Sequence, residues 1–296
     1  MNMNMVHNHH FLLVTFAAQG HINPVIQFAK RLIRMGAQVT IATTIYAQRR
    51  MSKIPDGLTF SFFSDGFDDG FKHGEHEYQH YMSEIKRRGS ESLSEKVLAL
   101  AEEPRPVSCL VYTLLLPWVA EVARKHSIPS ALLWIQPATV FDIYYYYFVE
   151  GYKDVLSNNI DDPSYSVKFP GLPTLTSPDL PSFFVASSAF SVILECFQEQ
   201  FDELVREGTK QWVLVNTFDA LEFDALRAIE KFNLIGVGPL LPSAFLDGKD
   251  PSDTCFGVDL FSVTKDYVEW LNTKEKSSVV YISFGSLTVL EKWQMD

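Results

Sequence analysis

The sequence predicts an α/β fold built on a parallel sheet. Short apolar runs rich in β-branched and aromatic residues alternate with helix-forming segments over residues 11–239. This alternation is typical of βαβ units, in which crossover helices join parallel strands. The first unit is the clearest one, with a buried strand at residues 11–16, a helix over residues 25–35 and a second strand at residues 37–44.

The loop that joins the first strand to the first helix contains a histidine, His21. Gly20 permits a tight turn, Asn23 is a good helix N-cap, and Pro24 suits the first helical position. We therefore expect His21 to lie at the carboxyl end of the first strand, just ahead of a helix. In open α/β sheets, ligands bind at that edge.

The rest of the chain continues the alternation. Apolar β-rich runs predict strands, amphipathic stretches predict helices, and clusters of Gly, Pro and Asp predict loops. In order, we expect a helix at 46–53, a strand at 58–63, a polar loop at 64–74, a helix at 81–102, a strand at 107–112, a helix at 117–124, a strand at 131–135, a helix at 136–148, a proline-rich loop at 161–181, a helix at 190–207, a strand at 211–217, a helix at 220–231, a strand at 233–239, a helix at 267–273 and a strand at 278–284.

Composition narrows the class of protein. The chain has 296 residues, 47% of them hydrophobic, and a formal net charge of −11. A net negative charge disfavours nucleic acid and anionic membranes as partners, and no run is long enough to span a membrane. Three widely spaced cysteines suit neither a disulfide framework nor a zinc site. With no secretory signal at the start, we expect a cytoplasmic protein.

Two local patterns allow both a structural and a functional interpretation. His73, His76 and His80 have helical spacing, but no carboxylate completes a metal site, so a solvated helix start is favoured. Residues 144–147 are four consecutive tyrosines, which point all round a helix. We expect one or two of them to face a cavity or a partner, where they could line a site for a flat ligand; packing with the hydroxyls at the surface is the alternative.

Five stretches together resemble plant small-molecule UDP-glycosyltransferases, whose fold is two Rossmann-like domains facing each other across a cleft (the GT-B type). The stretches are residues 20–24 (GHINP), 170–173 (PGLP), 214–222 (LVNTFDALE), 238–240 (GPL) and 279–286 (VVYISFGS). Residues 111–118 and 134–139 look like the anthocyanin 5-O-glucosyltransferase group of that family.

The resemblance implies an inverting transfer of a sugar, with UDP-glucose as the usual donor, no metal and no other cofactor. The partners would be a small-molecule acceptor and the UDP-sugar, and we expect a monomer. His21 would be the general base, which also fits the ordinary pKa of histidine. Gly20, Gly285 and Ser286 would contact the donor. Acceptor contacts are expected from Gln19, Trp134, Gln136, Tyr144 and Tyr145.

One position departs from the family pattern. An aspartate usually follows the strand that matches residues 107–112, and this chain has Thr113 there. A hydroxyl can orient the His21 ring but brings no charge to stabilise its protonated form. Either Glu121 or Asp142 reaches the ring, or the acceptor needs less help from a base. Because carboxylic acids are ionised at pH 7 and acidic phenols nearly so, the second option favours acidic acceptors.

The resemblance also divides the chain. We expect an acceptor-binding domain at residues 1–242, a linker at 243–262 and the incomplete start of a UDP-sugar-binding domain at 263–296. The family's long donor-binding signature lies beyond residue 296, so the chain alone is expected to transfer little or no sugar. A non-catalytic binding module is therefore the alternative. An NAD-dependent oxidoreductase is disfavoured because the first turn has no Gly-x-Gly-x-x-Gly.

Overall fold

The computed structural model describes residues 8–51, 54–72, 76–185, 191–206, 210–260 and 267–283. Its centre is a seven-stranded parallel sheet with strand order β3-β2-β1-β4-β5-β8-β9. These strands are β1 (His10–Val14), β2 (Gln38–Thr44), β3 (Thr59–Phe63), β4 (Cys109–Thr113), β5 (Ser130–Trp134), β8 (Trp212–Val215) and β9 (Asn233–Gly236). The predicted α/β fold with a parallel sheet is confirmed.

Helices cover both faces of the sheet. They are α1 (Gln19–Arg34), α2 (Ile45–Arg50), α3 (Tyr78–Ala101), α4 (Trp118–Lys125), α5 (Ala138–Phe148), α6 (Lys153–Asn159), α7 (Ser191–Arg206), α8 (Asp219–Glu222), α9 (Ala225–Ala228), α10 (Ser243–Leu246) and α11 (Tyr267–Asn272). One apolar core lies between the sheet and α1, and a larger one lies between the sheet and α3, α4, α5 and α7. Alternate residues of each central strand face the two cores, as for Leu12 and Leu13 of β1.

The proline-rich stretch at residues 161–181 is more regular than its sequence indicates. It contains β6 (Ser166–Lys168) and β7 (Thr174–Thr176), which pair antiparallel. Strands of three residues are too short to give a periodic pattern. The predicted helix at 220–231 is also divided, into the short helices α8 and α9.

Residues 278–283 form no regular strand, against the prediction for residues 278–284. A strand needs a neighbour with which to exchange backbone hydrogen bonds, and the sheets of the described residues do not include this stretch. Its side chains are exposed, with Val280 at 82% and Tyr281 at 88%.

Helix α1 begins earlier than the sequence predicts. Its N-cap is Ala18, which makes no side-chain cap hydrogen bond, and Pro24 lies inside the helix. Asn23 is therefore not the N-cap. Its side-chain Oδ1 instead accepts a hydrogen bond from the backbone N–H of Val258, at 2.9 Å. A tertiary contact has taken the side chain that the local pattern assigned to capping.

Candidate active site

His21 lies in the first turn of α1, at the carboxyl edge of the sheet. Its backbone N–H donates to the carbonyl of Ala18 at 2.9 Å. The chain leaves β1 for α1 and β2 on one side, while β4 lies on the other side of β1. The crevice where the strand order reverses in this way is the usual ligand site of doubly wound sheets. His21 is therefore placed where the sequence predicts, within a helix rather than in a loop ahead of one.

Thr113, the last residue of β4, lies opposite His21 across that crevice. Its Oγ1 is 3.3 Å from Nδ1 of His21, and it also accepts a hydrogen bond from the backbone N–H of Phe16 at 3.3 Å. The Thr113 side chain is fully buried. The structure thus brings together the two residues that the sequence analysis singled out as base and ring-orienting group.

The two carboxylates considered as substitute partners for His21 have other neighbours. Glu121 lies 4.0 Å from Lys86 on the surface of α4. Asp142 is buried in α5, with Glu222 as its charged neighbour, and neither of its oxygens has a hydrogen-bond partner among the residues that the structure describes. Neither carboxylate acts on the His21 ring, whose pKa is altered by burial and by no charged neighbour among the described residues. The first option, that one of these two reaches the ring, is therefore wrong.

Burial sets the protonation state of His21. Desolvation lowers the pKa of its imidazole to about 4, so the ring is neutral at pH 7. A neutral ring can accept a proton, which a general base must do. The low pKa also makes it a weak base, because no anionic group of the described residues lies next to the ring to stabilise its protonated form.

A series of contacting aromatic rings extends from His21, and we call it the aromatic wall. The wall consists of the half-buried Phe16, Phe67, Phe71 and Tyr81. The Phe16 ring is 5.3 Å from the His21 ring and 6.3 Å from Tyr81, and Tyr81 in turn contacts Phe67 at 4.9 Å and Phe71 at 5.0 Å between ring centroids. Such a surface favours flat or apolar ligands. No pattern in the sequence distinguishes Phe67 and Phe71 as site residues, although both lie in the predicted loop at residues 64–74.

The same loop carries a buried carboxylate, Asp65. It accepts a hydrogen bond from the backbone N–H of Phe67 at 2.9 Å, which shapes the turn behind the aromatic wall. Burial raises the pKa of Asp65. Burial, with Asp65 nearby, also raises the pKa of the Tyr81 hydroxyl, so that hydroxyl stays protonated at neutral pH.

The residues predicted to bind the acceptor are spread over several parts of the fold. Trp134 is fully buried, and its Nε1 donates to the carbonyl of Pro137 at 3.0 Å. Gln136 follows β5 at the same edge of the sheet as His21, and within the described part of the chain its buried Oε1 has no hydrogen-bond partner. Gln19 is one residue before Gly20, and its side chain contacts residues 259 and 260. The acceptor-binding role of these residues stays a prediction.

The four tyrosines of α5 are all buried, with exposed fractions of 0% to 7% for Tyr144 to Tyr147. The expectation that one or two face a cavity or a partner is wrong, because helices, loops and the sheet enclose α5 on every side. Three of the hydroxyls have protein partners: Tyr145 donates to Glu150, Tyr146 to the carbonyl of Pro170, and Tyr147 is paired with Ser157. Tyr144 packs on Trp134, Phe148, Phe184 and Phe197.

Of the three residues predicted to contact the donor, the structure describes Gly20. It lies in the first turn of α1 without the positive φ that a glycine-only turn would require. The turn argument for Gly20 is therefore wrong. A Cβ added here would meet no atom within 4 Å, so the backbone of this turn borders open space. Gly285 and Ser286 lie outside the described residues.

Two cavities elsewhere are not lined by His21. One, of about 320 Å³, lies between β3 and α3, and the other, of about 570 Å³, lies between the end of α1 and residues 250–259. Among the described residues no group of His, Cys, Asp and Glu side chains is arranged to hold a metal ion. His76 and His80 pack on the Phe67 ring, and His73 lies outside the described residues. Within the same described ranges, no helix combines the length and hydropathy of a membrane span.

Sequence comparison finds relatives over almost the whole chain. No protein-family model matches it. UDP-glycosyltransferase 75C1 of Solanum lycopersicum is 58% identical over 97% of this chain and 63% of its own length. The chloroplastic crocetin glucosyltransferase of Gardenia jasminoides is 56% identical over 99% of this chain and 62% of its own length. The anthocyanidin 3-O-glucoside 5-O-glucosyltransferase of Verbena hybrida is 48% identical over 97% and 63%.

Structure comparison gives the same class. Os79 from O. sativa, solved in complex with UDP, matches with a TM-score of 0.79 and 30% identity over 95% of this chain and 62% of Os79. A UDP-glucosyltransferase from Polygonum tinctorium shares the fold, with a TM-score of 0.69 and 20% identity over 97% of this chain and 61% of its own.

The sheet topology, with His21 at its switch point, is that of the GT-B class of α/β proteins. Within that class, the chain belongs by sequence to the plant UDP-glycosyltransferases. It spans about 62% of the length of the curated relatives that it matches and corresponds to their N-terminal part.

Proposed function

We propose that this chain is the acceptor-binding part of an inverting UDP-sugar glycosyltransferase in which His21 is the general base. The observation that carries the proposal is the neutral His21 ring held by Thr113 at the switch point of the sheet. Nε2 of His21 takes the proton of the acceptor hydroxyl, the acceptor oxygen bonds to the anomeric carbon, and the bond from that carbon to UDP breaks. UDP-glucose is the proposed donor, with contacts from Gly20, Gly285 and Ser286.

The acceptor class follows from the weakness of this base. A ring with a pKa of about 4 and no anionic partner is a poor proton acceptor for an aliphatic alcohol. A carboxylate or an acidic phenol is ionised or nearly so at pH 7 and needs little help. We therefore propose acidic acceptors with a flat or apolar body that packs on the aromatic wall. The names of the relatives, which include crocetin and phloretin glucosyltransferases, support this class.

A substitution at His21 tests the proposal in a chain joined to the C-terminal part of the tomato relative. We expect His21→Ala to lower kcat/KM for simple alcohols by about 10²- to 10⁴-fold, the usual contribution of general base catalysis, and for carboxylic acids by much less. His9→Ala, at an exposed position just before β1 and at the opposite edge of the sheet, is the matched control. No effect on either acceptor class would contradict the role of His21. An equal loss with both acceptor classes would contradict the proposed preference for acidic acceptors but not the role of His21.

A second candidate function is binding of the acceptor without sugar transfer. It is favoured by the low pKa of the His21 ring, about 4, which makes that ring a weak base. Calorimetric titration of the 296-residue chain should show binding of an aromatic carboxylic acid, and mass spectrometry with UDP-glucose should show little or no product. Efficient glucosylation by this chain would contradict the proposed inactivity.

The proposed setting follows from the same observations. We propose a monomer whose partners are the acceptor and the UDP-sugar, with neither nucleic acid nor membrane involved. Cys109, Cys196 and Cys255 are all free thiols, which supports a reducing compartment such as the cytoplasm. The boundaries at residues 242 and 262 remain predictions. Fractionation of plant cells followed by an immunoblot would test the compartment.

A further inference from the structure

An extended segment, residues 253–260, packs along the outer side of α1, and we call it the strap. It runs antiparallel to the helix, since its late residues meet the start of α1 and its early residues meet the end. Side chains from one stripe of α1, at positions 19, 23, 27 and 30, bind it. The spacing of three or four residues places all four on one helix face.

The contacts of the strap are mostly to its backbone. Gln27, itself buried, donates to the carbonyls of Cys255 and Phe256 at 3.0 and 2.9 Å. Lys30 donates to the Asp253 carboxylate at 2.6 Å and to the carbonyl of Cys255 at 2.9 Å. Nearer His21, Asn23 accepts from the N–H of Val258 at 2.9 Å, and Gln19 accepts from the N–H of Leu260 at 3.4 Å.

The first turn of α1 lacks a side-chain cap, and a proline follows it within the helix. Ala18 provides no side-chain cap. Pro24 has no N–H, so the carbonyl of Gly20 lacks the partner that a helix would normally supply four residues later. The turn that carries His21 is therefore joined less firmly to the rest of α1 than an uninterrupted helix would be. The strap contacts of Gln19 and Asn23 lie on this turn and immediately after it.

The approach of the strap to Asn23 is unusually close. A Cβ built on Gly257 would lie 2.1 Å from Oδ1 of Asn23, and Gly257 has a φ of +150°. Only glycine allows the strap to come near enough for the next residue, Val258, to donate its N–H to Asn23. The contact therefore depends on Asn23 in α1 and on Gly257 in the strap.

We propose that Asn23 is a positioning residue, which by binding the strap at Gly257 and Val258 fixes the first turn of α1 and so aims Nε2 of His21 into the crevice. The chain continues from the end of the strap toward α11 and the proposed donor-binding part. A displacement of that part would thus be passed through the strap to the base. This inference rests on the proposed role of His21 as the base.

The test compares variants that weaken the strap near His21 with one that weakens it farther away. Asn23→Ala removes the side chain that α1 contributes to the contact. Gly257→Ala obstructs the same contact from the strap and leaves the sequence of α1 unchanged. Gln27→Ala is the matched control, because it removes two hydrogen bonds to the same strap farther along α1. Two measurements are made: NMR titration of the His21 ring in the 296-residue chain, and kcat and KM in the chain completed with the tomato relative's C-terminal part.

We expect Asn23→Ala and Gly257→Ala to raise the pKa of His21 toward its ordinary value, because a looser turn admits water to the ring. In the completed chain, kcat should fall by about 10- to 100-fold, the effect of a misplaced catalytic group, with little change in KM. Gln27→Ala should change neither quantity. An equal effect of Gln27→Ala, or no effect of the other two variants on the His21 titration, would overturn the proposal.

The titration separates this inference from the proposed function. If His21→Ala leaves glycosyl transfer intact, His21 is not the base, whereas the titration of His21 still reports whether the strap holds its turn. If His21→Ala abolishes transfer and Asn23→Ala changes neither the titration nor kcat, the base assignment stands and the positioning role is wrong. Gly257→Ala provides the same information if Asn23→Ala does not fold.

Discussion

At the scale of single residues, Thr113 gives the His21 ring a partner that can both donate and accept. Its Oγ1 already accepts the N–H of Phe16, which leaves one acceptor position and the hydroxyl proton for the ring. If Thr113 accepts, Nε2 of His21 is free to act as a base, and if Thr113 donates, the proton sits on Nε2 instead. A carboxylate could only accept. Threonine therefore leaves the tautomer of His21 less strictly defined than aspartate would.

Thr113→Asp should consequently raise the pKa of His21 from about 4 by about 1–3 units, the usual effect of an opposite charge at this distance. It should also speed transfer to simple alcohols in the completed chain. Thr113→Asn, which has the same shape without the charge, is the control, and NMR titration of the ring is the measurement. Equal pKa values in the two variants would show that charge at this position does not govern the base.

Asp142 is a second residue with a strongly altered pKa. Burial, aided by the nearby Glu222, raises the pKa of its carboxyl to about 9, so the folded protein keeps it protonated. In the unfolded chain it ionises near its ordinary value of about 3.9. The unfolded state therefore binds fewer protons between these values, and the stabilising contribution, complete below pH 4, is lost as the pH rises toward 9.

Asp142→Asn should therefore stabilise the protein by up to about 5–6 kcal/mol at pH 8 and have little effect at pH 4, since pH 8 lies about four units above the ordinary pKa and each unit corresponds to about 1.4 kcal/mol. Denaturant unfolding at the two pH values measures this, with the exposed Asp224→Asn as the control. A stabilisation that did not depend on pH would contradict the proton-linked explanation.

At the scale of elements, α5 is capped by a residue from another helix. The Glu222 carboxylate, at the end of α8, accepts hydrogen bonds from the N–H groups of Ala138 and Thr139, both at 2.9 Å, and from the Thr139 hydroxyl at 2.8 Å. Burial alone would raise the pKa of Glu222, but hydrogen bonds from the backbone and side chain of Thr139 and from the backbone of Ala138 outweigh burial and lower it. The contact fixes the start of α5 against the segment that follows β8.

Removing this cap should destabilise the fold at neutral pH. Glu222→Ala is expected to cost about 1–2 kcal/mol, as for other caps, whereas Glu230→Ala at an exposed position should cost little. Because the pKa of Glu222 is lowered by folding, the difference should be complete above about pH 4.3 and shrink as the pH falls further. Urea unfolding curves over this range provide the measurement, and a difference that persisted at low pH would contradict the charged cap.

Some strands and helices of this fold can be predicted from sequence patterns, and others cannot. The strands of the central sheet follow from apolar runs because burial on both faces leaves no other pattern. The start of α1 could not be predicted, since Asn23 contacts a residue more than two hundred positions away. The burial of the α5 tyrosines was equally hidden, because it depends on α6, α7 and α9 enclosing them.

At the scale of the whole molecule, the topology explains why part of the site was predictable. Thr113 and His21 are distant in sequence, yet a rule about parallel sheets places both at one switch point. The aromatic wall follows from no such rule. Phe67 and Phe71 lie in an irregular loop, and their position depends on how that loop folds onto α3.

The exposed apolar side chains of residues 279–282 are also a property of the whole molecule. Val280, Tyr281 and Ile282 are 82%, 88% and 72% exposed, and a β-prone apolar run of this kind promotes association. Replacing Val280 by Asp and Ile282 by Lys should reduce concentration-dependent aggregation of the 296-residue chain without changing Tm. Light scattering measures the aggregation, and Leu98→Lys, at an exposed position of α3, is the control. Unchanged aggregation would show that another surface is responsible.

The strap also determines where hybrid enzymes should be joined. Four of its backbone groups, the carbonyls of residues 255 and 256 and the N–H groups of residues 258 and 260, bond to particular side chains of α1, so inserting or deleting one residue within 253–260 would shift every later pairing. The turn at Gly248 and Lys249 is exposed and can absorb changes of length. A crossover placed at that turn would let an incoming sequence bring its own strap, whereas one placed after Leu260 would preserve the native pairing.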